Sequence, residues 1–475
     1  MSKPVLAVLA LIGSASALAA ETRFPEDYKN SCGVSQQELD RWFSAGQVKE
    51  NAPVVPADSF AFPPVENTLC DFYHWGAQMF LWLTSPDGGG GQVFDSAGFY
   101  DVVARPGGGF AFAPSSGSAP NAMQLRGTKP EDIGNTGQAG GHDVLISQAK
   151  ALTYYGIHAN DIFADYRTGQ YNGLFKDTPL AENFPDSRED MEFLQTRLGV
   201  TYDDPEVMTM ELKTSWVPAA SVAAADYVTI QARVPSFDKS DPKNWKLTGT
   251  EIMELAMVGM HIAAPVHGHP ELVWSTFEHV SAAPIAPYYY LDTGGAVTAW
   301  NPETASKWIY FPEGGQLPPQ ITPLAKTGTA TGNIIASGDQ QIGPVTVAQL
   351  NPWGLAPAAD GAADKTQTAT DNTDLVSLNA SLRNILFPIG DVRANYLQAG
   401  GIWTVQGQLP SGGTDPAIRG GDRLANSTME TFHQYPNENN GFVAENCFFC
   451  HNDSSGTGAG VGMSHIFGTL QPLQK

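Results

Sequence analysis

The sequence predicts an α+β protein: a β-rich core, sandwich-like or one large antiparallel sheet, with peripheral helices and a separate C-terminal tail. Three observations predict it. Between residues 207 and 350, short runs alternate apolar and polar side chains with the period of two that a half-buried strand imposes. Glycine, at 49 residues, and proline, at 34, punctuate the chain as turn-rich β proteins require. Helical spacing is confined to the N-terminal part and to stretches beyond residue 374.

The elements follow in order. Residues 1–19 read as a secretory signal peptide, with Lys3 as the positive start, an apolar stretch over 5–13 and the A-x-A pattern Ala17-Leu18-Ala19. That stretch falls far short of the roughly 20 apolar residues a bilayer crossing needs, and no later stretch reaches it. The mature chain is therefore expected to be periplasmic or secreted, with no membrane span. Helices are predicted over 35–43, 67–83, 144–155 and 188–198, a glycine turn over 88–91, and strands over 98–113 broken by Gly107-Gly108-Gly109. Strands are predicted over 207–216, 227–234, 252–264, 272–280, 288–291, 307–311 and 343–350. The 252–264 run is almost continuously apolar, as a strand buried on both faces would be. Residues 352–373 read as a long exposed loop, 375–386 and 391–397 as helices, 402–409 as a strand and 425–433 as a short helix.

Charge and cysteine content narrow the function classes. A formal charge of −23 gives a surface that repels nucleic acid and anionic lipid, which excludes nucleic-acid partners. It could attract a basic redox partner protein, although solubility alone accounts for it. Four cysteines are present, and Cys447 and Cys450 share a motif, which leaves Cys32 and Cys70. In an oxidising compartment such a remaining pair forms a disulfide.

The strongest signal is Cys447-Phe448-Phe449-Cys450-His451. Two thiols three positions apart can each add to one vinyl group of a haem, and the adjacent histidine then lies beneath the iron as proximal ligand. This spacing therefore predicts one covalent c-type haem, haem c, on Cys447, Cys450 and His451, with His451 binding the metal. A dithiol redox motif or half of a zinc site are the alternatives. The expected organisation is a β-rich domain over 20–424 with a helical N-terminal part, and a haem-attachment segment over 425–475 packed on it.

Several further segments recur together in this chain: Glu211-Leu212-Lys213-Thr214-Ser215-Trp216, Gly259-Met260-His261-Ile262, Trp274-Ser275-Thr276-Phe277-Glu278-His279-Val280, Asn426-Ser427-Thr428-Met429-Glu430-Thr431-Phe432 and Ser464-His465-Ile466-Phe467. With the haem motif they resemble a family of secreted bacterial proteins known as cytochrome c family proteins. The resemblance runs from about Cys70 onward. It implies haem and no particular reaction.

Other residues carry weaker readings. His261 lies in the apolar strand and reads as a satisfied core histidine, while His267 and His269 read as a surface turn. Glu278 and His279 point to opposite faces of one strand; Glu278 reads as an acid bonded to a neighbouring strand or loop, with a proton relay as the sharper alternative. Arg383, Arg393 and Arg423 are candidates for haem propionates, against the plainer reading that they are solvated. Asp360, Asp364, Asp371 and Asp374 read as loop acids. Ile466 and Phe467 could pack on the macrocycle. For the sixth iron position, Met463, His465 and His433 sit too close to the motif in sequence to reach the opposite face easily. Nothing in the sequence places His74, His261 or His279 there, so an open or weakly occupied distal site is expected. The functional expectation is a monohaem protein of electron transfer. A haem enzyme with an open site, peroxidase-like or oxidase-like, and a haem-based sensor or binding protein are the alternatives.

Overall fold

The computed structural model describes residues 24–62, 68–105, 108–114, 121–122, 124–125, 143–301, 307–328, 331–355, 365–434, 446–454 and 456–473. The expected signal peptide, and Asp360 and Asp364, lie outside these residues. The fold is α+β around a large antiparallel sheet. Nine of its strands position the site: β1 (Phe99–Ala104), β2 (Phe110–Pro114), β3 (Tyr154–Asn160), β4 (Glu211–Pro218), β5 (Thr229–Asp238), β6 (Asn244–Val266), β7 (His269–His279), β8 (Tyr396–Thr404) and β9 (Ile418–Gly420). Eight of them run in the order β9-β8-β7-β6-β4-β3-β1-β2, each pair antiparallel, and β5 pairs antiparallel with β6 off this path.

The spine is β6, 23 residues long. Its first half pairs with β5 and its second half with β4 and β7. The outer half is solvated, with Ile252 52% exposed, whereas Leu255–Ile262 is buried except at His261. That interruption of an otherwise sealed stretch is the first structural sign of a site.

Among the described residues six helices flank the sheet: α1 (Gln36–Trp42), α2 (Leu69–Leu83), α3 (Asp161–Tyr171), α4 (Arg188–Leu198), α5 (Lys365–Leu386) and the single turn α6 (Cys447–Cys450). Helix α2 starts on a capping box: Thr68 Oγ1 accepts from the Asp71 amide, and Asp71 accepts from the Thr68 amide. Ten of its 15 residues are buried, because it lies between β7, β8 and α5. Gly76 makes that approach possible, since a Cβ there would fall 2.2 Å from Ser275 Oγ. Helix α5 is tied to β8 where the ladder shifts register after Gln398: Asn379 donates to the Gln398 carbonyl and accepts from the Gln398 amide, at 2.9 and 2.8 Å. Cys32 and Cys70 form a disulfide that joins the N-terminal segment to α2.

Several expected elements are corrected. Residues 144–155 are no helix: Lys150 sits at φ 59° in a tight turn, and Ile146 bridges Leu152, so the apolar spacing reflects two extended segments folded on each other. Residues 309–311 and 347–350 are buried, but 307–311 and 343–350 join no strand. They exchange hydrogen bonds with loops instead, as in Val347 N–H to the Tyr310 carbonyl. The expected loop at 352–373 contains the start of α5, which places Asp371 and Asp374 on a helix. Residues 391–397 give one 3-10 turn and then enter β8, which ends at Thr404 rather than running to 409. Residues 425–433 form turns and a 3-10 turn, Thr431–His433, rather than an α-helix.

The C-terminal tail is stitched across the fold. The Val461 amide donates to the Glu182 carbonyl and the Gln471 amide to the Phe110 carbonyl. The Arg167 guanidinium donates to the Leu470 carbonyl. Phe467 enters a cluster with Phe163, Tyr166 and Phe184 under α3. Ile466 and Phe467 are therefore core residues of the tail. No helix among the described residues is long and apolar enough to cross a membrane.

Candidate functional site

The turn α6 carries the site. Asn446 anchors its start by donating to the carbonyls of Gly413 and Asp422, both at 2.7 Å, and Phe448 is buried beneath it. Cys447 and Cys450 lie three residues apart on one helical turn, so they share a face. Neither is in a disulfide. Both line one pocket with His451.

His451 leaves the turn and is held from three directions. Its Nδ1 lies 2.6 Å from the Met463 carbonyl oxygen, so Nδ1–H donates and Nε2 keeps the lone pair. Nε2 has no hydrogen-bond partner among the described residues. His465 stacks on the ring at 3.7 Å with planes 13° apart. Trp274 of β7 packs against it at 4.3 Å. Burial, and then the nearby His465, Lys213 and His261, hold the His451 pKa well below the usual histidine range. The ring is thus a neutral, oriented imidazole.

The rest of the pocket comes from far along the chain: Glu211 and Lys213 on β4, His261 and Ala263 on β6, Trp274 on β7, and Glu430, His433 and Asn446. The cavity has a volume of about 70 Å³ and opens to solvent. His261 Nε2 lies 3.0 Å from both carboxylate oxygens of Glu430, which also accepts from the Asn426 amide. Lys213 stands opposite His261 in the β4–β6 register. Glu211 is bound by the Ser464 hydroxyl at 2.6 Å, and burial pushes its carboxyl up to about 7.

The chemistry of this set can be tested against each reading of the motif. Burial, reinforced by Glu430, pushes the Cys447 thiol far above its usual range, whereas a working dithiol needs a lowered pKa. Among the described residues no three His, Cys, Asp or Glu side chains group as metal ligands, so none of these residues completes a zinc site with the two thiols. Three polar atoms at the pocket, Trp274 Nε1, His465 Nδ1 and Asn446 Oδ1, are buried without a hydrogen-bond partner among the described residues. A protonated Cys447 thiol beside Cys450, a histidine with one free nitrogen and unsatisfied polar atoms fit a covalently attached group that brings its own metal and polar substituents.

The other sequence candidates lie elsewhere. His269 is a buried strand residue bonded to Glu271 at 2.8 Å, not a surface turn. Arg393 is locked to Asp391 and to carbonyls near α2, and Arg383 bonds the Ala394 carbonyl; both are interior structural residues, neither solvated nor at the pocket. Glu278 is bound by the amide and hydroxyl of Ser427, an acid bonded to a neighbouring loop. His74 bonds Glu38 and the Cys32 carbonyl. His279 stacks on Tyr227 at 3.7 Å. His261 is no plain core histidine but a wall of the pocket. Sequence reasoning missed its pairing with Glu430; a histidine breaking an apolar strand was the available signal. Comparison of the chain with protein-family models, curated proteins and solved structures finds no match.

Proposed function

We propose that this chain is an exported, periplasmic or secreted, monohaem redox protein that carries haem c covalently on Cys447 and Cys450, with His451 as proximal ligand and an open distal position. The observation that carries the reading is the His451 ring. Its Nδ1–H is committed to the Met463 carbonyl, and its Nε2 is free beside a pocket that both thiols share. A backbone acceptor on the far nitrogen fixes tautomer and orientation and makes the near nitrogen a better ligand. When bound, the haem supplies one-electron chemistry and a place for a small ligand on the iron. The protein holds it by two thioether bonds and a braced imidazole, and the pocket offers Trp274 Nε1 as a donor for a polar substituent. The Cys32–Cys70 disulfide supports an oxidising compartment.

Electron transfer to a basic partner protein is the second reading, supported by the acidic surface. It requires a second strong iron ligand. His465 is a poor candidate, because it stacks on the same ring that serves as proximal ligand.

The test is expression with a cytochrome c maturation system. The expected mass is the chain plus one haem, retained after denaturation and acid-acetone extraction. Haem released by that extraction overturns the assignment. Carbon monoxide then separates the two readings. Complete binding by the reduced protein supports the open site; no binding, with low-spin spectra in both oxidation states, favours the carrier.

A further inference from the structure

His261 and Glu430 form a hydrogen-bonded dyad on the pocket wall. His261 lies mid-strand in the sealed half of β6, yet its side chain retains 12% exposure because it faces the pocket. Both oxygens of Glu430 lie 3.0 Å from Nε2, and a carboxylate only accepts. In the neutral ring Nε2 therefore carries the proton, and Nδ1 carries the lone pair. No described residue bonds Nδ1. Glu430 is in turn fixed by the Asn426 amide at 2.9 Å, so the ring has a set orientation. Coordination of a flat macrocycle through Nδ1 is unfavourable, because the Cβ branch on the neighbouring ring carbon would press on the plane. The free nitrogen suits a hydrogen bond to a small guest better than a bond to the metal.

We infer that His261, oriented by Glu430, is the proton acceptor for a small proton-bearing molecule bound in this pocket, of the class of hydrogen peroxide, hydroxylamine or hydrogen cyanide. The inference rests on the covalent-haem reading and names what the open position would take. In the binding step the H–X bond of the guest breaks, its electron pair stays on X, and the proton passes to Nδ1. Glu430 offsets the imidazolium charge that results. Nothing is oxidised or reduced. The other charged groups of the pocket are Lys213, which stands opposite, and Glu211.

The experiment titrates the oxidised holoprotein with cyanide at neutral pH, where the free ligand is HCN, and the reduced holoprotein with carbon monoxide, which has no proton to give. His261→Leu is expected to weaken cyanide by roughly 10-fold or more, the worth of one hydrogen bond to a charged group, and to change carbon monoxide affinity far less. Glu430→Gln should weaken cyanide by a smaller factor. If His261→Leu does not accumulate, His261→Gln supplies the same comparison. Unchanged cyanide affinity overturns the inference, and so does an equal loss for both ligands, which marks a structural role. A low-spin wild type that turns high-spin in His261→Leu overturns it differently, by making His261 an iron ligand. Absence of covalent haem is read from the mass before any titration, and it removes both the haem reading and this inference.

Discussion

His451 Nδ1 lies 2.6 Å from the carbonyl oxygen of Met463, 12 residues further along the chain. The glycine-rich stretch between them loops out, with Gly456 and Gly458 at positive φ, and brings the backbone back against the ring. His465 closes the same loop by stacking on His451 and donating from Nε2 to the Cys450 carbonyl. One short segment thereby sets the tautomer, tilt and burial of the histidine.

If that histidine is the proximal ligand, His451→Ala should keep the covalent mass, because the two thiols remain. The optical spectrum should lose the features of a histidine-bound haem, and added imidazole should restore them. A spectrum unchanged by the substitution would assign the iron another ligand.

Glu211 should make stability fall with rising pH. Its carboxyl is raised from 4.5 to about 7, chiefly by burial, with the Ser464 hydroxyl partly opposing the shift. Below about 4.5 both folded and unfolded chains hold the proton, and the carboxyl costs nothing. Between there and about 7 the unfolded chain releases its proton first, so stability declines, by up to about 3 kcal/mol in full. Glu211→Gln should remove this part of the pH profile when denaturant midpoints are compared across the window. Parallel profiles for the two proteins would contradict it.

The Cys32–Cys70 disulfide closes a separation of 38 residues. In the chain-entropy model such a loop is worth about 3–4 kcal/mol. Cys32→Ala with Cys70→Ala should lower the denaturation free energy by about that amount. In the unreduced wild type, thiol labelling after unfolding should find neither cysteine.

Gly76→Ala tests the seating of α2 on the sheet. The added methyl would meet Ser275 Oγ at 2.2 Å and Gln398 Nε2 at 2.8 Å, both buried. Helix propensity alone favours alanine by roughly 1 kcal/mol, while overpacking a dense core costs about 1–3 kcal/mol. A lower melting temperature is expected; a higher one would show that the helix can retreat without loss.

The sequence by itself determined the local features. Cysteine spacing marked the motif, alternation marked β4 and β5, an almost unbroken apolar run marked the inner half of β6, and helical spacing marked α4. Each of these is written within a few neighbouring residues. The alternation could not tell a strand from an extended buried loop, which is why 307–311 and 343–350 were overread: pairing depends on partners, not on period. Only the tertiary structure decided what surrounds His451. The stretches at 211–216, 259–262, 274–280, 426–432 and 464–467 are far apart in the chain, yet Ser215 meets Thr428, Asn426 meets Thr276, Ser427 meets Glu278 and Ser464 meets Glu211. Antiparallel pairing of β4, β6 and β7 aligns the first three, and the returning tail supplies the rest. A histidine such as His261 acquires a role only when sheet register sets it beside Glu430, 169 residues away, and register is a property of the whole sheet.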